Sequence, residues 1–376
     1  VIRAFGKEEY EAQKFNKVNQ DLTRIHLLVN RLMVVLQPAM MLIMNFMMIA
    51  IVWLGAHHIG AGDLQVGSML AFLQYSMQAV SAFLMISIVF ISLPRAAVSA
   101  NRIAEVLETE IQIKDPTNPV RAHRRGGKVE FKNVTFTYPG AAEPVLHNIS
   151  FVALPGETTA FVGSTGSGKS TIINLIPRFY EVTEGQVLVD DVDVRAMRQK
   201  DLRARIGYVS QKAMLFSGTI RDNITYGNPN ATQEEIFRAA ATAQALEFIK
   251  ELEGKFDSSI AQAGTNFSGG QKQRLAIARA LAKNPELYLF DDSFSALDFQ
   301  TDKALRNALK EEAQGKTVLI VTQRIATIMN ADKIVVIDKG EIVGQGTHET
   351  LLKTCKVYQE IAASQLAPEE LARVLR

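Results

Sequence analysis

The chain of 376 residues is predicted to join two membrane-spanning α-helices to an α/β domain. Residues 32–56 and 64–94 contain no charged side chain, and each stretch is long enough to cross about 30 Å of hydrocarbon. Further along the chain, strand-like and helix-like patterns alternate, which is typical of an α/β domain. The expected organisation is a membrane part over 1–108, a linker over 109–127, the α/β domain over 128–362 and a tail over 363–376.

Charge and cysteine content exclude several classes of protein. The chain has 41 Lys and Arg against 39 Asp and Glu, a net charge of +2, so no nucleic-acid partner is expected. A single cysteine, Cys355, excludes an internal disulfide framework and is typical of a reducing compartment. No signal peptide is visible, and the charged opening VIRAFGKEEYE is expected to be the middle of a longer protein.

The charges around the apolar stretches predict their orientation. Spans are expected over about 32–56 and 68–94, joined by a short turn that contains Gly and Asp. Arginines flank the pair of spans at positions Arg24, Arg31, Arg95 and Arg102. The positive-inside rule therefore places both outer ends in the cytoplasm, with the lipid bilayer around the pair. Two buried helices of a soluble protein are the alternative, which the length and lack of charge argue against.

The second span carries a polar stripe. Gln74, Gln78, Ser81 and Met85 recur at helical spacing, and Ser92 returns to the same face. Polar groups at membrane depth usually face a bundle interior or a wet cavity. Nine of the twelve methionines also lie in this hairpin, and methionine suits surfaces that adapt to varied apolar ligands. The pattern predicts contact with an amphipathic small-molecule substrate, and plain helix–helix packing remains the alternative.

The sequence GSTGSGKST fits the phosphate-binding loop G-x-x-x-x-G-K-[ST]. It follows an apolar strand pattern and precedes a helical run, which is the context that the motif requires. The residues expected around the phosphates are Gly163, Ser164, Gly166, Ser167, Gly168, Lys169, Ser170 and Thr171. Within this set Lys169 is expected to reach the β- and γ-phosphates, and the Ser170 hydroxyl to bind Mg²⁺. The motif predicts a nucleotide site with Mg²⁺. A structural Gly-rich turn is the alternative, which the strand and helix on either side argue against.

The stretch LYLFDDSFSALD is an apolar strand pattern that ends in two aspartates. Such a strand is expected to bring Asp291 beside the phosphates, where a carboxylate holds Mg²⁺ directly or through water. A solvated loop is the alternative, and the phosphate loop argues against it.

The sequence FSGGQKQRLAIARAL over residues 267–281 closely resembles the signature of ATP-binding cassette (ABC) proteins. The resemblance covers about 128–362 and implies a P-loop ABC ATPase domain with a helical subdomain. It implies that Tyr138 stacks on adenine, and that Gln211 links the Mg²⁺ site to the membrane part. Two such domains would sandwich ATP head to tail, with the SALD loop (Ser295 to Asp298) crossing to the partner. The signature residues that would contact the partner's nucleotide are Ser268, Gly269, Gly270 and Gln271.

The membrane part resembles exporter half-transporters, in which six spanning helices precede one cassette. On this resemblance about residues 1–12 form a coupling helix, the two spans are the fifth and sixth, and the first four are absent. It implies a multi-pass protein of the bacterial cell membrane with a cytoplasmic ATPase domain, which works with a second half-transporter.

Two positions depart from the family pattern. Asp292 stands where the catalytic glutamate is usual, and its carboxylate is set back by roughly 1 Å, a displacement that can cost about a hundredfold in rate. Gln323 stands where a histidine is usual, and glutamine cannot change its protonation state. A milder change is Gln262, where exporters often have glutamate. The changes at Asp292 and Gln323, with the ATP-binding residues intact, predict a weak site in one subunit of a heterodimer. The resemblance to exporters implies amphipathic, drug-like substrates. A slow homodimer is the alternative, and a soluble ABC ATPase of DNA or ribosomes is disfavoured by the spans.

Overall fold

A computed structural model describes residues 1–120 and 126–366. The chain forms two compact units, Val1–Glu110 and Ile111–Arg376. The boundary between the units falls inside the stretch predicted as a linker. Residues 121–125 of that stretch, and 367–376 of the predicted tail, lie outside the described residues.

The first unit is a helical hairpin, made of α1 (Glu8–Gly60) and α2 (Val66–Leu107). Both helices are long and apolar enough to cross a membrane, with mean hydropathies of 2.1 and 2.0 over their most apolar windows. Almost none of these windows is buried inside the unit, which is the exposure expected of helices surrounded by lipid or by other helices. The predicted spans lie within α1 and α2.

The segment expected to form a coupling helix over residues 1–12 is divided. A short 3₁₀ turn at Arg3–Phe5 ends at Gly6, whose φ of 57° is left-handed and stops the turn. α1 then starts at Glu8 and continues directly into the first span. The part of the segment from Glu8 onward is therefore the beginning of the long helix.

The polar stripe of the second span is exposed within the hairpin. Gln74, Gln78, Ser81, Met85 and Ser92 all face away from contacts with the rest of this unit. α1 and α2 approach each other closely at Gly55, where a Cβ would meet the Met69 sulfur at 2.6 Å. The stripe is therefore not used to hold the two helices together. Whether it contacts substrate or other helices stays a prediction.

The second unit is built on a six-stranded sheet in the order β12-β11-β3-β10-β9-β6. β12 is antiparallel to its neighbour, and the other five strands run parallel. The bounds of the sheet strands are β3 Thr158–Gly163, β6 Ile206–Val209, β9 Leu287–Asp291, β10 Thr317–Val321, β11 Lys333–Asp338 and β12 Glu341–Gly346. Every residue of β9 and β10 is buried, as expected for parallel strands that are covered on both faces.

An antiparallel sheet in the order β2-β1-β4-β5 covers one face of the main sheet. Its strands are β1 Val129–Phe136, β2 Leu146–Ala153, β4 Glu184–Val189 and β5 Val192–Asp193. Alternate side chains of the main sheet, such as Leu289 and Leu319, enter the core that the two sheets share. Their neighbours Phe290 and Ile320 enter a second core on the opposite face. This alternation follows from the two-residue period of a strand.

Helices cover the remaining surfaces. Those next to the main sheet are α3 Lys169–Leu175, α4 Gln199–Ala204, α9 Phe299–Glu312, α10 Ile325–Ile328, α11 His348–Thr354 and α12 Lys356–Ala363. A helical subdomain contains α5 Ile220–Thr225, α6 Gln233–Thr242, α7 Leu246–Glu251 and α8 Gly269–Ala282, with a small ribbon of β7 Gly218–Thr219 and β8 Ser259–Ile260. The α/β domain with a helical subdomain is therefore confirmed.

Part of the predicted linker is bound to the second unit. The Gln199 side chain donates to the Ile113 carbonyl at 3.0 Å, and the Val120 N–H donates to the Ala196 carbonyl at 2.8 Å. The buried Arg178 guanidinium donates to the Lys114 carbonyl at 3.0 Å and pairs with Glu181. Residues 111–120 are therefore hydrogen-bonded to the α/β domain.

We expect Arg178→Ala to release this segment. The change leaves the Glu181 carboxylate and the Lys114 carbonyl without a donor, and should lower the free energy of unfolding by about 2 kcal/mol. Limited trypsin digestion should then cleave after Lys114 faster than in the wild type. Lys200→Ala, an exposed cation on α4, serves as the control. Unchanged cleavage after Lys114 in the Arg178 variant would contradict this account.

Candidate nucleotide site

Four parallel strands end at the same edge of the main sheet, and the candidate residues follow them. The phosphate loop follows β3, Asp291 ends β9, and Gln323 follows β10. Gln211 comes just after β6, the next strand in the sheet. Such an edge, at the carboxyl ends of parallel strands, is where α/β sheets bind ligands. The structure thus brings together residues that are up to 160 positions apart, from Gly163 to Gln323.

The phosphate loop depends on glycine at two positions for steric reasons. A Cβ on Gly163 would collide with the Ile337 carbonyl oxygen of the neighbouring strand. Gly168 has φ of 99°, and a Cβ there would meet the Leu146 side chain at 2.6 Å. Gly168 is also the residue before α3, and no side chain caps that helix. The first N–H groups of α3 are therefore directed at the loop, as anion binding requires.

Lys169 is folded back onto its own loop. Its Nζ donates to the carbonyls of Gly163 at 3.0 Å and Ser164 at 2.6 Å. Burial lowers the pKa of the Lys169 ammonium, and the nearby carboxylates of Asp292 and Asp291 oppose that effect. A phosphate in the loop would supply stronger, charged acceptors for the same amine.

Ser170 and Asp291 form the contact that joins the phosphate loop to β9. The Ser170 hydroxyl donates to Asp291 Oδ1 at 2.7 Å. Asp291 is 5% exposed, and its burial raises the pKa of the carboxyl, while the Ser170 hydrogen bond works against the rise. The Asp292 carboxylate acts in the same direction as burial, and the Lys169 ammonium opposes it. An ionised carboxylate here is costly unless a cation joins it.

Asp292 and Gln323 line the same cavity as the phosphate loop. The cavity has a volume of about 350 Å³, and Lys169, Ser170 and Gln211 also line it. The Gln211 side chain donates to Asp292 Oδ2 at 3.3 Å. Asp292 has φ of 44°, in the left-handed region that Asp tolerates better than most residues. Gln323 is exposed at the cavity wall, opposite the end of β9.

Sequence reasoning missed part of the cavity wall. Thr165, Val145 and Val321 also line it. Thr165 lies inside the phosphate-loop motif at a position where any residue is allowed, so the motif alone does not mark it. Val145 precedes β2 and reaches the loop only through the packing of the two sheets, for which the sequence carries no signal.

Tyr138 lies beside the phosphate-loop helix rather than on the cavity wall. Its hydroxyl and that of Thr171 are 3.0 Å apart, at hydrogen-bond distance. The Tyr138 ring packs edge-on against Phe136 and against Tyr180, with centroids 4.8 Å and 5.1 Å apart. Stacking of Tyr138 on adenine stays a prediction.

The signature residues lie at the start of α8 and do not line the cavity among the residues described. Ser268 caps the helix: its Oγ accepts from the Gln271 N–H at 3.3 Å, and Gln271 Oε1 accepts from the Ser268 N–H at 2.9 Å. A Cβ on Gly269 would meet no atom within 4 Å, and one on Gly270 would meet the Ala296 carbonyl at 3.2 Å. The chain's own packing thus gives no reason for glycine at Gly269.

Side-chain hydrogen bonds hold the turn after Asp292 and the loop that carries Gln211. Ser295 Oγ donates to the Asp292 carbonyl at 2.8 Å. The α8 residue Gln273, which is 2% exposed, donates to the Ser210 carbonyl at 3.3 Å, next to Gln211. The helical subdomain is therefore bonded directly to the loop that carries Gln211.

The expected Mg²⁺ ligands fit a metal that binds together with a nucleotide. In the described parts of the chain, 1–120 and 126–366, no three or more His, Cys, Asp or Glu side chains form a cluster that could hold a metal ion. The candidate ligands are one hydroxyl, one carboxylate and one amide, from Ser170, Asp291 and Gln211. Because Mg²⁺ is usually held by one or two carboxylates plus substrate phosphates, this set is suited to Mg²⁺ bound with ATP.

The phosphate loop, the strand-end aspartate and the glutamine loop around one cavity define a P-loop nucleotide-binding domain. Comparison with known protein families agrees with this assignment. The family described as the ABC transporter transmembrane region matches residues 1–83, and the family described as ABC transporter matches residues 146–295. The chain has the fold and domain order of an ABC exporter half-transporter. The predicted resemblance to an ABC exporter half-transporter is therefore confirmed, and the weak site in a heterodimer stays a prediction.

Individual relatives are similar over nearly the whole chain. An ABC transporter ATP-binding protein of Mycobacterium tuberculosis is 46% identical over 97% of this chain and 63% of its own length. An ATP-dependent lipid A-core flippase of Pseudomonas aeruginosa is 37% identical over 100% of this chain and 62% of its length. The solved structure of a bacterial Atm1-family ABC exporter with ATP bound superposes with a TM-score of 0.84 at 32% identity, covering 97% of this chain and 64% of the other. This chain spans less than two thirds of these relatives.

We expect Asp291→Asn to have opposite effects without and with Mg²⁺. The raised pKa means that the folded chain binds a proton more tightly than the unfolded chain, so stability is lost as pH rises through that pKa. Without nucleotide, the variant should therefore unfold at a higher temperature than the wild type at pH 7, and the gain should shrink towards about pH 4. The further stabilisation that Mg²⁺ adds to ATP should disappear in the variant.

Thermal unfolding with ATP alone and with Mg²⁺ and ATP measures both effects. If Mg²⁺ stabilised the Asp291→Asn variant as strongly as the wild type, Asp291 would not be the metal carboxylate.

Proposed function

We propose that this chain binds ATP with Mg²⁺ and works as one subunit of a membrane exporter driven by ATP. The Ser170–Asp291 hydrogen bond carries the proposal, because it joins the phosphate-loop hydroxyl to the strand-end carboxylate as a shared Mg²⁺ site requires. The roles that follow are specific. Lys169 moves from the loop carbonyls to the β- and γ-phosphates, and Asp292 orients the attacking water. Bound Mg²⁺ would neutralise negative charge on the phosphates.

We further propose that this chain's own site hydrolyses ATP slowly. Asp292 has the shorter side chain, and the Gln211 amide already donates to its carboxylate. Gln323 at the cavity wall can donate a hydrogen bond to a γ-phosphate, but it brings no charge and no change of protonation. The residues that hold nucleotide are all present, which suits a site that retains ATP and turns it over rarely.

A second half-transporter with a complete catalytic pair is the partner that this proposal requires. The open face at Gly269 supports a dimer in which the signature meets the partner's nucleotide, since a small residue there has no role in this chain. Substrates are amphipathic small molecules that reach the polar stripe on α2. The cytoplasmic location of the ATPase domain follows from the arginines that flank the spans. A slow homodimer with the same geometry is the alternative.

Asp292→Glu should raise ATP turnover at this chain's own site, by up to about a hundredfold, because the longer side chain moves the carboxylate towards the expected water. Asp292→Asn should change the slow wild-type rate little. Phosphate release by the purified chain without any other half-transporter is the measurement. Robust wild-type turnover that Asp292→Asn abolishes would overturn the weak-site proposal and favour the homodimer.

Ser268 is expected to act on the partner's nucleotide as well as on its own helix, and two variants separate these roles. Ser268→Ala loses the helix cap, at about 1 kcal/mol, together with any phosphate contact. Ser268→Asp keeps an acceptor for the cap but places a carboxylate where the γ-phosphate is expected.

The assay is ATP turnover by the complete complex, with thermal unfolding as the check on the cap. The Ser268→Asp variant should retain wild-type stability and lose turnover by at least about tenfold, because like charges repel in a desolvated site. Full turnover by a stable Ser268→Asp complex would mean that Ser268 only caps the helix.

A further inference from the structure

The loop that carries Gln323 is held by a side chain from the end of the domain. Gln365 follows α12 and is far from the cavity in sequence. Its Nε2 donates to the Gln323 carbonyl at 2.7 Å, and its Oε1 accepts from the Ile325 N–H at 2.9 Å. One amide thus binds the backbone on both sides of Arg324.

The second of these bonds serves as a helix cap. Ile325 is the first residue of α10, so its N–H has no acceptor inside the helix. The capping residue Arg324 supplies no side-chain acceptor for α10. Gln365 Oε1 is the acceptor for the Ile325 N–H instead. Gln365 is itself fixed, because its N–H donates to the Ala362 carbonyl at 3.1 Å and Leu366 packs in the same core as Ile325.

Arg324 holds the loop from the other side. Its guanidinium donates to the Ser295 carbonyl at 2.8 Å and to the Leu297 carbonyl at 3.4 Å, in the turn that follows Asp292. The Gln323 backbone therefore lies between two held segments, and Gln323 is exposed and lines the cavity that Lys169 also lines. A small movement of this backbone would move the Gln323 amide relative to a bound γ-phosphate.

We propose that Gln365 is a positioning residue of the nucleotide site, which sets the distance between Gln323 and the γ-phosphate. It does not contact the nucleotide, and it acts only through the backbone of the Gln323 loop. This inference rests on the proposed ATP function. Loss of Gln365 should weaken the preference of the site for ATP over ADP, because ADP lacks the γ-phosphate. A general loss of stability would instead weaken the binding of both nucleotides equally.

Gln365→Met is the test variant, because methionine has similar length and shape but neither bonds to the Gln323 carbonyl nor accepts from Ile325. Gln359→Met, in α12 shortly before Gln365, is the matched control. Gln359 Nε2 donates to the Leu352 carbonyl at 2.7 Å, so the control loses a similar bond without touching the Gln323 loop. Both are made in the complete transporter. Photolabelling of this chain by 8-azido-ATP, with unlabelled ATP or ADP as competitor, gives the apparent affinity for each nucleotide.

Gln365→Met should weaken competition by ATP about fivefold, which corresponds to the loss of one neutral hydrogen bond between Gln323 and the γ-phosphate. Competition by ADP should stay unchanged. Gln359→Met should change neither. A wild-type ratio of ATP to ADP affinity in Gln365→Met would overturn the proposal. Equal losses for ATP and ADP would also overturn it, since Gln365 would then act through general stability.

Lys169→Ala separates this inference from the function on which it rests. Wild-type photolabelling that Lys169→Ala leaves unchanged would refute the nucleotide site itself, whatever the Gln365 variant does. Reduced labelling in Lys169→Ala with an unaltered ratio in Gln365→Met would refute only the positioning role.

Discussion

The parallel alignment of β3, β10, β9 and β6 is the constraint on which the site depends. Val321 of β10 lies opposite Phe161 of β3 on one side and Asp291 of β9 on the other. Since each strand is buried on both faces, a shift of one residue would turn apolar side chains away from their cores. The register therefore fixes where the loops after the strands begin. The phosphate loop, Asp291 and the Gln323 loop meet because the sheet has this alignment.

The same edge concentrates charges that burial disfavours. Lys169 and Asp291 both have pKa values shifted towards their neutral forms, and each is satisfied by short local bonds to the phosphate loop. ATP with Mg²⁺ would bring anions for the lysine and a cation for the carboxylate. Nucleotide binding would thus remove an electrostatic cost of the folded domain, and the ligand would therefore stabilise the folded state.

The loops at this edge are also linked to one another, so that a change at one reaches the others. Gln211 contacts Asp292, and Gln273 of α8 holds the carbonyl next to Gln211. On the far side, Arg324 joins the Gln323 loop to the turn after Asp292. Hydrogen bonds to backbone carbonyls form most of these links. They join the backbones of neighbouring loops to one another.

The sequence by itself determined the family, the two apolar helices and the order of the site residues along the chain. It did so because phosphate binding, metal binding and membrane crossing each require particular residue types at fixed spacing, as in the phosphate loop and LYLFDD. Only the tertiary structure decided which distant groups meet. The docking of residues 111–120 on Arg178 and the contact of Gln365 with the Gln323 loop depend on hydrogen bonds to backbone carbonyls. Every residue has a backbone carbonyl, so no sequence pattern marks which carbonyl a distant side chain contacts.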